Sequence, residues 1–400
     1  MKNDQMHTGI AEATRLTQQG RLDEATAAIQ RALGGTFAPA AQEGPVDTNE
    51  PIEVISRLVR QTPQGPAGDR RTAVRRPGAA EWTAPGPSLL SRGVQLPPRT
   101  KTEKLASGSI PEGGRFVERS YTNSAGTRSY KLYIPSGYTG QAVPLIVMLH
   151  GCTQSPDDFA TGTRMNELSE EHTFLVAYPA QAGKANVQKC WNWFQAADQQ
   201  RGRGEPSLIA GITRQVVEEY EISEGRVHVA GMSAGGAMAA IMGATYPDLF
   251  AAIGVHSGLA AGSAHDLSSA FSAMRQGGPV VAVPYGERTE IVPTIVFHGD
   301  RDTTVHPRNG ERLLARLDIA GGQNGSSPRV RTHQGRVPGG YEYTRFSYHD
   351  ADGRVLLERW SVHGLGHAWS GGSYPGSYTD PRGPDASAEM VRFFEQHHKR

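Results

Sequence analysis

Five residues, Gly231-Met-Ser-Ala-Gly235, constrain this chain more than any other stretch. They follow Arg226-Val-His-Val-Ala230, which reads as a buried strand. They precede Gly236-Ala-Met-Ala-Ala-Ile-Met-Gly-Ala244, small and apolar, which reads as a helix packed closely on a sheet. Strand, G-x-S-x-G, helix is the setting of a turn so sharp that its serine stands exposed at the edge of the sheet. The flanking glycines leave room for the neighbouring strand and helix. Ser233 is therefore the candidate nucleophile, and an ordinary strand-to-helix turn is the competing reading.

The surrounding pattern alternates strand and helix. Residues 116–121 and 128–134 flank Asn123-Ser-Ala-Gly126 as a hairpin. Residues 144–150 form a continuous apolar run of the buried parallel type, and 173–178 another. Helices are expected at 158–171 and at 207–220, the latter with Leu208, Ile209, Ile212, Val216 and Val217 inward. Strand 251–256, a Gly/Ser/Ala-rich helical insertion at 259–277, strand 293–298 and a helix at 308–319 follow. Residues 341–348 and 355–362 flank Asp352-Gly353, a type I′ hairpin signal, and a last helix covers 385–397. This order predicts an α/β fold: a mostly parallel central sheet with helices on both faces and antiparallel hairpins at its edges.

The alternation begins only near residue 110, so the chain divides into 1–35, 36–109 and 110–400. Ala13, Gly20, Leu22, Ala25, Ile29 and Ala32 give residues 1–35 the look of a helical hairpin resembling one tetratricopeptide unit. One such unit does not bury its face alone, so self-association or partner docking is expected there, beside a marginal hairpin of no separate role. Residues 36–109 read as a Pro/Gly-rich, largely disordered linker, with Arg70, Arg71, Arg75 and Arg76 as a solvated cluster. The 41 basic and 40 acidic side chains nearly balance, which argues against a dedicated nucleic-acid or acidic-membrane binder. No apolar run is long enough for a transmembrane helix.

A serine hydroxyl needs a base to take its proton, and the base needs an orienting acid. On a fold of this order the acid follows the serine at a strand end, and the histidine lies on a later loop. His298-Gly-Asp-Arg-Asp302-Thr-Thr-Val305 offers Asp300 and Asp302 on one loop. Val362-His-Gly-Leu-Gly-His367 offers His363 at a strand end and His367 on a Gly-bearing loop with freedom to reach Ser233. His367 is preferred for that reason. His150, His256 and His298, at the ends of buried strands, read as structural histidines, and no pair has zinc-ligand spacing, so neither a metal nor another cofactor is expected. The oxyanion donors are expected to be the backbone N–H groups of Ala234 and Cys152, with Thr153 as the alternative to Cys152.

Cys152 and Cys190 flank loops at the carboxyl ends of strands, so a disulfide between them is expected, with two buried thiols as the alternative. A bridge favours an oxidising, extracellular compartment. The first seven residues carry no apolar signal core, which keeps cytoplasmic as the alternative. Trp191, Trp193 and Trp369 are the aromatic residues nearest the expected site and offer flat surface to an acyl or polyester chain, with core packing as the other reading.

Asp302 with its following Thr-Thr-Val resembles the H-G-x-x-D-x-x-V loop of α/β-hydrolases. His150-Gly-Cys-Thr-Gln154, Cys190-Trp-Asn-Trp193, Gly231-Met-Ser-Ala-Gly-Gly236, His298-Gly-Asp-Arg-Asp302 and Gly364-Leu-Gly-His-Ala-Trp369 occur in order. Together they resemble the catalytic domain of polyhydroxybutyrate depolymerase family esterases over roughly residues 115–397. The resemblance implies an α/β-hydrolase fold and hydrolysis of short-hydroxyacid polyesters or related esters. It gives Ser233 the role of nucleophile, Asp302 the acid, His367 the base and Cys152 an oxyanion donor. Relatives with similar catalytic domains include feruloyl and acetylxylan esterases, which supply the alternative substrates. No polymer-binding domain follows the last expected helix, which favours soluble oligomers or small esters over crystalline polymer. A non-catalytic hydrolase shell used for binding is the rival from another class.

Overall fold

Ten strands join in one sheet in the computed structural model, which describes residues 110–279, 292–313 and 328–399. The expectations for 1–35 and 36–109 lie outside the described residues, as does the second half of the helix expected at 308–319. In chain order the described elements are β1 (Arg115–Asn123), β2 (Gly126–Ile134), β3 (Val143–Leu149), α1 (Pro156–Thr163), α2 (Met165–His172), β4 (Leu175–Pro179), α3 (Gly204–Glu219), β5 (Ile222–Met232), α4 (Ala234–Thr245), β6 (Ala252–His256), α5 (Leu267–Gln276), β7 (Thr294–Gly299), α6 (Arg308–Arg312), β8 (Arg329–Arg336), β9 (Glu342–His349), β10 (Val355–His363), β11 (Trp369–Ser370), β12 (Thr379–Asp380) and α7 (Ala386–Glu395).

The sheet order is β1-β2-β4-β3-β5-β6-β7-β10-β9-β8. Strands β4, β3, β5, β6, β7 and β10 run parallel. The β1–β2 hairpin adds antiparallel pairing at one side, and β9 and β8 add it at the other. Alternate side chains of β3 face opposite layers. Leu145, Val147 and Leu149 pack with Ile209 and Ile212 of α3 and Met238 of α4. Ile146 and Met148 pack with Phe159 of α1, Met165 of α2 and Phe393 of α7. Both faces are dry, which is why the strand reads as an unbroken apolar run. Each such side chain contributes about 1.5–3 kcal/mol by leaving water. All six parallel strands start below this core and end at one edge, where the loops carrying the chemistry-bearing residues emerge.

Four local expectations need correction. The single helix expected at 158–171 is two helices, because Arg164 adopts a left-handed conformation (φ 54°) and its N–H closes onto the Ala160 carbonyl, ending α1. The helical insertion expected at 259–277 narrows to α5, whose start is fixed by a capping box between Asp266 and Ser269. Strand β8 was not expected: Arg-Val-Arg-Thr-His-Gln-Gly-Arg lies mostly exposed at the sheet edge, so it carries no apolar alternation. The turn at Asp352-Gly353 is not type I′. Only Gly353 has positive φ (83°), and Asp350 N–H donates to the Arg354 carbonyl at 2.9 Å, enclosing a three-residue loop.

Candidate active site

Ser233 sits between β5 and α4 with φ 56° and ψ −120°. A non-glycine residue held there costs on the order of 1–3 kcal/mol, so the surroundings must enforce it. Ser233 N–H donates to the His256 carbonyl at 2.9 Å, and the Ser233 carbonyl accepts from Ala237 N–H at 2.9 Å. A Cβ on Gly231 would lie 2.4 Å from the Gly235 carbonyl oxygen, and one on Gly235 would lie 2.0 Å from that of Leu149. Strand and helix therefore approach as closely as the turn demands only because both positions lack side chains.

The acid and base loops lie side by side. They continue the β7–β10 pairing, with Asp300 N–H donating to the Val362 carbonyl at 3.1 Å and Arg301 N–H to that of Leu365 at 3.0 Å. His367 Nδ1 donates to Asp302 Oδ2 at 2.7 Å. Asp302 Oδ1 accepts from the amides of Thr304 at 2.9 Å and Val305 at 2.8 Å. His298 Nε2 donates to the Val305 carbonyl at 2.8 Å and lies 3.4 Å from Asp302 Oδ2. Burial opposes ionisation of Asp302, but hydrogen bonds from His298 and His367 outweigh it and hold the carboxyl well below the usual range. A proton fixed on His367 Nδ1 leaves Nε2 of the neutral ring as the basic nitrogen. No hydrogen bond joins Ser233 Oγ to His367 among the described residues.

The competing pair has a separate place. His363 Nδ1 donates to Asp300 Oδ2 at 3.0 Å, and Asp300 Oδ1 accepts from Gly364 N–H at 2.7 Å. His363 Nε2 lies 2.9 Å from the Thr344 hydroxyl. Asp300 and His363 thus anchor the start of the loop that carries His367. His256 joins elbow to loop by another route. Its carbonyl holds Ser233, its Nε2 accepts from Ser370 N–H at 2.9 Å, and its ring stacks on Trp369 with centroids 4.8 Å apart. Burial, then the charges of His298 and His367, keep His256 far below an ordinary imidazole pKa, so it stays neutral.

The loop after β3 leaves one amide over. Gly151 N–H donates to Gln154 Oε1 at 2.8 Å, Thr153 N–H to the Gln188 carbonyl at 2.6 Å and Gln154 N–H to the Gly151 carbonyl at 3.4 Å. No described acceptor takes the Cys152 amide, whereas the alternative, Thr153, is occupied. Ala234 is the first residue of α4, where an amide has no partner within the helix. The Gly151–Cys152 peptide is held by His150, whose Nδ1 donates to the Gly151 carbonyl at 2.7 Å while Nε2 accepts from Gln181 N–H at 3.0 Å. Burial lowers the His150 pKa to about 4, against the pull of the Gly151 carbonyl. The Cys152–Cys190 disulfide ties this loop to the next one.

Trp191, Trp193 and Trp369 require a correction. They are 0%, 5% and 1% exposed, so they present no open surface to an acyl chain. Trp191 Nε1 donates to the His150 carbonyl at 3.1 Å, and Trp369 Nε1 to Ser387 Oγ at 3.0 Å. Trp191 and Trp193 pack into the core on one face of the sheet and Trp369 into the core on the other. A buried polar group beside the Trp191 loop escaped the sequence reading. Glu205 accepts from Asn192 N–H at 2.7 Å, from Gln181 Nε2, and from Arg128 Nη2 at 3.2 Å. Burial raises its pKa against these hydrogen bonds. An acid in the first turn of a helix ordinarily faces water, so no sequence signal marked it. Among the described residues, no cluster of three or more His, Cys, Asp or Glu is arranged to hold a metal ion. None of the described helices is long and apolar enough to cross a membrane.

With this geometry in hand, comparison with known proteins places the chain. Residues 128–330, just over half of its length, match the family described as Esterase PHB depolymerase. A poly(3-hydroxyalkanoate) depolymerase C of Paucimonas lemoignei is 33% identical over 256 residues, covering 62% of this chain and 59% of that protein. An acetylxylan esterase A of Talaromyces purpureogenus is 28% identical over 242 residues, covering 57% of this chain and 61% of that protein. The chain thus spans less than two thirds of either relative. A solved acetyl xylan esterase from Aspergillus awamori superposes with a TM-score of 0.53 at 22% identity, over 71% of this chain and 99% of that one, which establishes the shared fold. The chain belongs to the Esterase PHB depolymerase family, on an α/β-hydrolase fold.

Proposed function

We propose that the protein is a serine carboxylic-ester hydrolase acting through an acyl-enzyme. The observation that carries this reading is the His367–Asp302 hydrogen bond of 2.7 Å at the ends of neighbouring strands β7 and β10, on the sheet edge where the strained Ser233 ends β5. Ser233 Oγ attacks the ester carbonyl while His367 Nε2 takes its proton. Asp302 holds the ring and stabilises the imidazolium. The amides of Cys152 and Ala234 receive the oxyanion, where loss of one donor costs about 3–4 kcal/mol of barrier stabilisation. The intermediate collapses as His367 returns the proton to the departing alcohol. Water then attacks the acyl-enzyme, and His367 passes its proton back to Ser233 as the acid leaves.

The preferred substrates are poly(3-hydroxybutyrate)-type oligomers or polymer, supported by the name of the Paucimonas relative. Acetyl or feruloyl esters of plant polysaccharide form the second reading, whose acetyl part is supported by the name of the Talaromyces relative. Side-by-side assay on amorphous polyhydroxybutyrate, p-nitrophenyl butyrate, methyl ferulate and acetylated xylan separates them. Release of 3-hydroxybutyrate units selects the first reading, release of ferulate or acetate alone selects the second, and turnover of none rejects both. In the same reading residues 110–400 are the catalytic domain, 36–109 a linker, and 1–35 a helical hairpin for self-association or partner docking. A variant lacking 1–35 that keeps both activity and apparent mass in gel filtration would contradict the last role.

A further inference from the structure

Glu205 is a buried acid outside the triad. It lies in the first turn of α3, with its side chain 4% exposed and paired to Arg128 Nη2 at 3.2 Å. A carboxylate taken out of water is costly and persists only where partners satisfy it. Here they do. Oε2 accepts from Asn192 N–H at 2.7 Å, and Oε1 from Asn192 Nδ2 at 3.0 Å and from Gln181 Nε2. The Glu205 N–H in turn donates to Asp198 Oδ1 at 2.7 Å. One side chain on α3 thus holds the loop after β4 and the loop around Trp191.

Those two loops grip the loop after β3 at three points. Gln181 N–H donates to His150 Nε2 at 3.0 Å, which keeps the ring proton on Nδ1, and Nδ1 donates to the Gly151 carbonyl at 2.7 Å. Trp191, beside Asn192 in the chain, donates from Nε1 to the His150 carbonyl at 3.1 Å. Cys190, whose carbonyl accepts from Gln181 Nε2 at 2.9 Å, is bridged to Cys152. In a trans peptide C=O and N–H point opposite ways, so the bond that fixes the Gly151 oxygen also aims the Cys152 N–H. That bond polarises the peptide as well and strengthens its N–H as a donor. The peptide borders the nucleophile: a Cβ on Gly151 would lie 3.6 Å from Ser233 Cβ.

In the esterase reading, on which this inference rests, the Cys152 amide must meet the oxyanion where it forms, not the ground-state carbonyl. A misplacement of about 1 Å can cost about 10²-fold in rate. We propose that Glu205 is a positioning residue for the oxyanion hole: through Gln181 and Asn192 it fixes His150, and through His150 the direction of the Cys152 amide. Its described hydrogen bonds reach none of Ser233, Asp302 and His367, so its loss should weaken the oxyanion hole and spare the base.

The test uses Glu205→Gln and Gln181→Met in the full chain. The first keeps the shape of the side chain but leaves one acceptor oxygen where two serve now. The second removes the amide that joins the acid to the loop after β4 and leaves the Glu205–Arg128 pair in place. In each, kcat on p-nitrophenyl butyrate should fall roughly tenfold to a hundredfold. KM should change less than about threefold, and the acid limb of the kcat/KM pH profile, set by His367, should not move. Affinity for phenylboronic acid, which forms a tetrahedral adduct on Ser233 with an oxygen in the oxyanion hole, should fall in step with kcat. A folded Glu205→Gln variant with kcat within about twofold of wild type, or a loss carried by KM or by a shifted acid limb, overturns the role. If Glu205→Gln does not fold, Gln181→Met decides: a loss of roughly tenfold supports the tether, and full kcat overturns it. If the wild type neither hydrolyses the ester nor binds the boronate, the esterase reading itself has failed. Hydrogen exchange then decides the positioning alone. The Gly151 and Thr153 amides should exchange at least about tenfold faster in Gln181→Met than in wild type, and equal exchange overturns the proposal.

Discussion

Asp302 Oδ2 lies 2.7 Å from His367 Nδ1, and the other carboxylate oxygen is held by the Thr304 and Val305 amides. The acid therefore cannot turn away from the imidazole without breaking two backbone hydrogen bonds. This fixes the His367 tautomer and leaves Nε2 as its basic atom.

Replacing the acid should show that tautomer control. In Asp302→Asn an amide faces Nδ1, and kcat on p-nitrophenyl butyrate should drop on the order of 10³–10⁴-fold. Asp300→Asn leaves one acceptor oxygen for the His363 and Gly364 donors at the start of the His367 loop and should cost far less, within about tenfold. Steady-state kinetics on both variants decides the matter, and equal losses would speak against Asp302 as the orienting acid.

Stability should depend on pH through buried neutral histidines. The folded-state pKa of His150 is about 4 and that of His228 about 3, both lowered by burial, and His256 is lowered as well. Above the unfolded value of about 6.5 these rings are neutral in both states and cost nothing. As pH falls below that value the unfolded chain takes up protons that the folded chain refuses, so stability declines toward pH 4. For His150 alone the decline is about 3 kcal/mol. Asp302 acts in the same direction at lower pH: its depressed pKa stabilises the fold above about 3.9, and that contribution fades as pH falls further. Urea midpoints at pH 7.5, 6 and 4.5 should fall in that order; a flat series would be inconsistent with neutral buried imidazoles.

The disulfide should matter to rate as well as to stability. It joins the loop bearing the Cys152 amide to the loop bearing Trp191, across 38 residues of chain. Reduction, or a Cys190→Ser variant, should cost about 2–4 kcal/mol of stability. It should also lower kcat more than it raises KM, because the oxyanion donor is freed to move. Thermal melts and kinetics with and without reductant give both numbers; unchanged kcat after complete reduction would show that the bridge does not brace the donor.

The elbow glycines should be intolerant in a way that other glycines are not. Gly235→Ala sets a Cβ 2.0 Å from the Leu149 carbonyl oxygen and should destabilise on the order of 3 kcal/mol or more. Gly353→Ala meets open space and suffers only its positive φ of 83°, about 1 kcal/mol. Comparable urea midpoints for the two variants would contradict the packing assigned to the elbow.

Most of the sheet was legible because strands buried on both faces, such as β3 and β7, are written as unbroken apolar runs. Edge strand β8 was not, since a strand with one neighbour and an exposed surface needs no apolar pattern. The break at Arg164 escaped because a left-handed residue of ordinary chemistry carries no signal comparable to a glycine. Within the candidate site, Asp302 stood out through the resemblance of its loop and His367 through its place on a Gly-bearing loop, and the structure joins the two by a 2.7 Å hydrogen bond. The burial of Trp191, Trp193 and Trp369 was not legible, because core and binding wall use the same aromatic residues. Glu205 and Gln181 were invisible for a related reason: their hydrogen bonds join loops far apart in sequence, and only the fold brings those loops together.

The central claim is that Ser233 is the nucleophile of an ester hydrolase. Its most direct test is mass spectrometry of the wild-type protein and the Ser233→Ala variant after exposure to a fluorophosphonate, with p-nitrophenyl butyrate turnover measured on the same samples. The account predicts a single phosphonyl adduct on Ser233 in the wild type with loss of turnover, and neither adduct nor turnover in a folded Ser233→Ala variant. Turnover retained by that variant, or an adduct on another residue with Ser233 unmodified, would contradict it.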